Sequence, residues 1–154
     1  MSTTADLLSH ARRRLAGVTP ESLGRERTSR WRGARIVRAG RAWHLGVLLL
    51  TDDGVLATAE ILRAAAPVRR GYAAESARAR ADRRAQARRG GFAEGETVHV
   101  AWQVLDVAAV DAGGVSGPLA LIDGVPSVRW APGGAFVPLA GYLDERIALA
   151  LGQD

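Results

Sequence analysis

Two apolar, partly β-branched runs, Ala42 to Thr51 and Val55 to Leu62, flank the triplet Asp52-Asp53-Gly54. Strand–turn–strand patterning of this kind signals a β-hairpin and commits the middle of the chain to sheet. Loop length sets the register, because a one-residue slip sends every side chain to the opposite face. A two-residue loop, Asp53-Gly54, pairs Val47 with Glu60. A three-residue loop with a left-handed Gly54 pairs Val47 with Ala59 and Leu49 with Ala57. The second choice keeps Trp43, Leu45, Val47, Leu49, Ala57, Ala59 and Ile61 on one face, and it matches a common hairpin type. It is the register expected. The other face, which includes His44, Leu48, Leu50, Leu56, Glu60 and Leu62, is also substantially apolar, so both faces are expected to be covered.

The flanking segments read as follows. Thr3 with Asp6 resembles a capping box opening a helix from about Thr4 to Leu15, with Leu7, Leu8, Ala11 and Leu15 on one face. Thr19-Pro20-Glu21 reads as a short helical turn with Pro at its first position. Residues 24–34 show no clean period, and 18–41 as a whole is expected to be a loop or arm. Residues 72–89 have the strongest helix propensity, with an alanine stripe at Ala74, Ala77, Ala81 and Ala85. Gly90-Gly91 stops that helix, and 64–92 is expected to be a mobile basic segment. Thr97 to Asp106 alternates, with Val98, Val100, Trp102 and Val104 facing one way and His99 and Gln103 the other. Leu119 to Ile122 and Val125 to Trp130 form a second hairpin about Asp123-Gly124, and Pro126 places its second strand at an edge or starts it late. Pro138 opens a last helix in which Leu139, Tyr142, Leu143, Arg146, Ile147 and Ala150 recur at helical spacing. These elements predict a single α+β domain over 1–154. Its antiparallel or mixed sheet is built from two hairpins and a central strand, with N-terminal, central basic and C-terminal helices packed on it.

Absent residue types narrow the chemistry. The chain has no Cys, no Lys and no Asn, and all 21 of its basic residues other than His are Arg. There is thus no thiolate metal site, no cysteine nucleophile, no Walker-A lysine and no lysine Schiff base. Arginine does not deprotonate to serve as a base. No apolar stretch approaches the ~20 residues that span a bilayer. The N-terminus places its charges after its short apolar stretch, the reverse of a secretory signal. A cytoplasmic protein without membrane contact is expected, with no cofactor and no metal.

Charge is distributed in blocks. Residues 1–41 carry +7, 42–62 carry −3, 63–90 carry +7 and 91–154 carry −6. Opposite blocks of this size favour pairing within the fold or between copies, and a homo-oligomer is expected. Within the basic helix, Arg78, Arg80, Arg83, Arg84, Arg88 and Arg89 are candidates to track nucleic-acid phosphates. The bland reading is a solvated helix face, since Glu75 and Asp82 sit within it and no aromatic is interleaved to stack a base. The N-terminal block, with Trp31 in its midst, adds some weight to nucleic acid.

His44, Glu60 and His99 are the candidates for general-base chemistry, provided their strands adjoin. A polar pair at a sheet edge is the simpler account of them. Asp52-Asp53 reads as turn chemistry rather than a cation site. Trp43, Trp102 and Trp130 are pocket candidates, with aromatic core as the plainer alternative. The paired glycines lack a phosphate-loop pattern, and no Ser lies in a nucleophile elbow.

The blocks RAWHLGVLLLTDDGVLATAEILRA (41–64) and GGFAEGETVHVAWQVLDV (90–107) resemble a family of short proteins from high-GC bacteria that often carry the label glutaminase. The resemblance covers most of the chain and implies a coherent fold. The label implies amide hydrolysis, yet the chain lacks both the Ser-x-x-Lys pair of serine-type glutaminases and the Cys of amidotransferase-type ones. That leaves a water activated by His44 or His99. The leading expectation is a small non-enzymatic binding protein that self-associates through its charged surfaces. Nucleic-acid binding through the Arg-rich segments comes second, and a small hydrolase using His44, Glu60 and His99 third; a small-molecule ligand is not identified.

Overall fold

A computed structural model describes residues 1–67 and 74–153. The element order is α1 (Thr4–Leu15), β1 (Glu21–Ser29), β2 (Gly33–Leu45), β3 (Leu48–Leu50), β4 (Val55–Ala57), β5 (Glu60–Arg63), α2 (Glu75–Arg89) and β6 (Thr97–Val100). It continues with β7 (Gln103–Val104), α3 (Val107–Asp111), β8 (Val115–Ser116), β9 (Leu119–Ile122), β10 (Val125–Arg129), β11 (Phe136–Pro138) and α4 (Leu139–Ala150). The fold is α+β. No helix among the described residues is long and apolar enough to cross a membrane. Contacts divide the chain into two compact units, the first made of Met1–Pro20, Ala42–Thr58 and Gln103–Asp154, the second of Glu21–Arg41 and Ala59–Trp102.

In the first unit, α1 begins as its sequence predicts: Thr3 and Asp6 form a reciprocal capping box. The Asp111 carboxylate accepts from the Thr4 and Ala5 N–H groups at 2.8 and 3.1 Å, satisfying two more of the helix's free donors. Leu8, Ala11 and Leu15 of α1 bury into one core with Leu45, Leu48, Leu50, Val55, Leu119, Val128 and the α4 residues Leu139, Tyr142, Leu143 and Ile147. β8 to β11 form an antiparallel sheet in the order β11-β10-β9-β8.

The run read as one strand from Ala42 to Thr51 breaks at Gly46-Val47. Residues 43–45 turn back on 48–50, pairing Trp43 with Leu50, His44 with Leu49 and Leu45 with Leu48. Gly46 has φ +65, the conformation a tight hairpin needs at its first central position. The next hairpin closes over Asp52-Asp53, pairing Leu50 with Val55 and Leu49 with Leu56. This is neither register considered from sequence. Gly54 is not left-handed; its N–H donates to the Thr51 hydroxyl, and its carbonyl accepts from the Thr51 N–H. His44 therefore sits opposite Leu49.

Single side chains fasten both turns. The Tyr142 hydroxyl accepts from Val47 N–H at 2.8 Å and donates to the Leu45 carbonyl at 2.9 Å. A Cβ on Gly46 would overlap that hydroxyl. Arg12 donates to the carbonyls of Thr51 and Gly54 at 2.8 and 2.9 Å.

In the second unit, the segment expected to be a loop or arm is instead two long strands. The short helical turn at Thr19-Pro20-Glu21 is not formed either: Glu21 begins β1. The order is β5-β6-β1-β2, with β1 parallel to β6 and β5 antiparallel to it. Arginines obscured the strand pattern, because exposed positions dominate both strands while Leu23, Gly24 and Ile36 supply the buried points. A Cβ on Gly24 would stand 2.5 Å from Ile36 Cγ2 and 2.7 Å from Val98 Cγ1, so glycine admits the close approach. The core joins Ile36, Leu62, Ala64, Ala87, Phe92, Val98 and Val100. α2 buries Ala85, Gln86 and Ala87 at its C-terminal turn, and its alanine stripe is otherwise exposed or half-buried.

Three smaller expectations change. The 97–106 run breaks at Ala101 (φ +60) into β6 and β7, leaving Val104 exposed and burying His99. Ile61, expected on the core face, is half exposed. β10 is internal, and it tolerates Pro126 because β11 pairs only from Ser127 onward.

Glu96 organises one end of the second unit. Its carboxylate takes a bidentate pair from Arg38 at 2.8 and 2.8 Å, the Ser22 hydroxyl at 2.5 Å and the Ala93 N–H at 2.9 Å. Arg38 also lies over the Phe92 ring at 4.6 Å. The Arg38 hydrogen bonds, outweighing burial and aided by Ser22 and Ala93, lower the Glu96 carboxyl from its ordinary 4.5 to about 2.

Two outcomes follow for stability. A depressed carboxyl stabilises the fold above its unfolded value and ceases to do so as pH falls through its folded value. Glu96→Gln is expected to be less stable than the parent protein at neutral pH, with the difference shrinking between pH 4.5 and 2. A difference constant across that range in urea denaturation would contradict this. Tyr142→Phe strips a partner from Val47 N–H and from the Leu45 carbonyl. It is expected to lower the unfolding free energy by about 1–3 kcal/mol, and an unchanged denaturation midpoint would show that the Gly46-Val47 turn holds itself.

Candidate nucleic-acid interface

Residues 21–41 of the first basic block fall in one unit with the second block, 63–90, whereas Arg12, Arg13 and Arg14 of the first block fall in the other unit. The second unit carries sixteen Arg against seven Asp and Glu, a net +9, and the first carries five Arg against nine acids, a net −4. The asymmetry along the chain thus becomes an asymmetry between units.

The connection from β1 to β2 is the tip of a hairpin. Its residues Arg30, Trp31 and Arg32 are all exposed, and Trp31 is 92 % exposed. The Ser29 hydroxyl accepts from the Trp31 and Arg32 N–H groups, at 3.2 and 3.3 Å, and shapes the turn. Gly33, at φ +67, completes it. An indole held so far into solvent gains nothing from burial, so its cost falls on the free protein. Arg25 and Arg27 are exposed along β1.

On α2, Arg78, Arg80, Arg84, Arg88 and Arg89 are exposed and Arg83 is half-buried. Arg83 serves the fold: it pairs with Glu26 and Glu60, at 2.6 Å each, and reaches Gln86 at 3.1 Å. Hydrogen bonding to Glu60 raises its pKa. Arg88 pairs with Glu94 at 3.3 Å, and Arg89 donates to the Ala34 carbonyl at 2.9 Å. Among the described residues, Arg27, Arg30, Arg32, Arg80 and Arg84 meet no carboxylate within 4.0 Å. Arg25, Arg41 and Arg63 of the same unit are likewise exposed without a carboxylate within 4.0 Å among the described residues.

The candidate catalytic residues each have polar partners. Glu60 is held by Arg83. His99 is fully buried, with Nε2 3.2 Å from Glu21, so the histidine–carboxylate pair forms with a residue the sequence did not single out. His44 belongs to the first unit, where its Nε2 donates to the Gly46 carbonyl at 2.9 Å. Trp43 and Trp102 are half-buried and donate their indole N–H to the Val18 and Gly24 carbonyls, as packed aromatics do. Trp102 also lies beneath Arg25, at 5.8 Å. Trp130 lines a cleft of the first unit and Trp102 another of the second, so each stands in its own environment.

Sequence reasoning gave Trp31 no structural place. The signal available was the string Ser29-Arg30-Trp31-Arg32-Gly33, a turn between two segments each carrying one or two apolar residues, Leu23 and Ile36-Val37. No protein-family model, curated protein or solved structure matches the chain.

Proposed function

We propose that the second unit binds nucleic acid, with its uncommitted arginines on the phosphate backbone and Trp31 stacked on an exposed base. One observation carries this reading: the fully presented Trp31, flanked by arginines at a hairpin tip in a unit of net +9. An aromatic face with cationic neighbours is the usual platform for single strands, where stacking supplies sequence-tolerant affinity and arginine tracks the backbone. The basic helix lacks such an aromatic, and the hairpin of the same unit supplies it. Arg83, Arg38 and Arg88 are paired with carboxylates and serve the fold; on this reading Arg27, Arg30, Arg32, Arg80 and Arg84 meet the phosphates.

The charge partition favours a second reading, self-association in which the acidic unit of one copy meets the basic unit of another. Sedimentation separates the two. Self-association predicts oligomers at low salt that dissociate at high salt without any oligonucleotide, and a monomer at both would remove it.

Fluorescence anisotropy with labelled single-stranded RNA and DNA, over about 50–300 mM salt, tests the proposal. Binding is expected to weaken steeply with salt, as counterion release requires. Trp31→Ala is expected to cost about 1–3 kcal/mol of affinity while leaving the salt slope unchanged. Replacing Arg30 and Arg32 by Gln is expected to flatten the slope. Absence of binding at the lowest salt, or full affinity in Trp31→Ala, would contradict the reading.

A further inference from the structure

The first unit holds a cleft of about 520 Å³, within the range of small-ligand sites. Its apolar side comes from Trp130 at the end of β10 and from Val137 and Pro138 of β11. Its polar side comes from α4, which contributes Tyr142, Glu145 and Arg146.

Two features make this a built site rather than a surface dent. Tyr142, on its wall, is fixed at the hydroxyl by two backbone hydrogen bonds and stacks under the Arg146 guanidinium at 5.3 Å. That stacking positions a cation without neutralising it. Trp130 is 55 % exposed, and its indole N–H has no acceptor among the described residues, unlike those of Trp43 and Trp102.

The charges select the ligand. Glu145 and Arg146 both line the cleft, and among the described residues neither has a partner of opposite charge within 4.0 Å. A simple anion would be drawn to Arg146 but repelled by Glu145; a simple cation would meet the reverse. A neutral apolar molecule would desolvate both charges without replacement. A zwitterion with an apolar body satisfies each group. We propose that this cleft binds a free α-amino acid with an aromatic or large apolar side chain. Its carboxylate lies on Arg146, its ammonium group on Glu145, and its side chain against Trp130, Val137 and Pro138.

The test is calorimetric titration of the full chain with L-phenylalanine, 3-phenylpropionate and phenethylamine. The last two lack the ammonium group and the carboxylate, respectively. Saturable binding of L-phenylalanine is expected, with each analogue about tenfold weaker or worse. Arg146→Gln is expected to erase the preference for L-phenylalanine over phenethylamine, and Glu145→Gln the preference over phenylpropionate. Such changes of preference do not arise from a general loss of folding. Gly141, also on the cleft, has nothing within 4 Å of where a Cβ would stand. Gly141→Leu is therefore expected to fold with an unchanged or raised melting temperature and to lose binding. The proposal is overturned by absence of saturable L-phenylalanine binding at millimolar concentration, by equal binding of either analogue, or by undiminished binding in folded Gly141→Leu.

Discussion

Like-charge repulsion is the constraint around which the second unit is arranged. Sixteen arginines share it with seven carboxylates, so one-to-one pairing would leave nine cations over. The carboxylates go where burial would otherwise make a cation costly or where two elements must be joined. Glu60 and Glu26 converge on half-buried Arg83, which ties α2 to the sheet strands β1 and β5. Glu96 gathers Arg38, Ser22 and the Ala93 amide. Among the described residues, Arg27, Arg30 and Arg32 along the β1–β2 hairpin and Arg80 and Arg84 on α2 are exposed and meet no carboxylate within 4.0 Å. Surface pairs of this kind contribute little to stability one at a time. Their effect is to sort the cations into those committed to the fold and those available to a polyanion, and that sorting underlies the proposed function.

The first unit solves a different problem. It carries a large continuous core from three helices and short strands, and short strands need tight turns. Two long side chains from helices supply the hydrogen bonds those turns lack: Tyr142 of α4 at Gly46-Val47 and Arg12 of α1 at the Asp52-Asp53 loop. Helix packing and turn geometry are therefore coupled through polar contacts as well as through leucines. The same Tyr142 stands on the wall of the proposed ligand cleft, so a residue needed for the fold also prepares a binding surface.

Where hydrophobic period and cap chemistry agreed, the sequence was legible. The α1 capping box, the stop of α2 at Gly90, the Asp123-Gly124 hairpin and the opening of α4 after Pro138 all follow from local residues. Gly46 is the decisive residue in the middle of the chain. Its left-handed conformation splits the apolar run in two, with a different register at the hairpin that follows, and no local pattern separates that outcome from one long strand. The arm at 18–41 failed for a related reason: strands with many exposed arginines, and with only Ser22, Leu23, Gly24 and Ile36 buried over 21–41, carry almost no alternation. Of the candidate residues, the α2 arginines lie as expected on an exposed face, apart from Arg83. His99 found its carboxylate in Glu21, a residue 78 positions away that only the parallel β1–β6 pairing brings near.

The most direct test of the central claim follows Trp31 itself. Uniform labelling with 5-fluorotryptophan gives one fluorine resonance for each of the four tryptophans, and the Trp31 signal is the one lost in Trp31→Phe. Titration with a short single-stranded oligonucleotide at low salt is predicted to shift and broaden the Trp31 resonance while that of Trp43, hydrogen-bonded within the first unit, stays in place. Binding of the oligonucleotide with the Trp31 resonance unmoved would contradict the account.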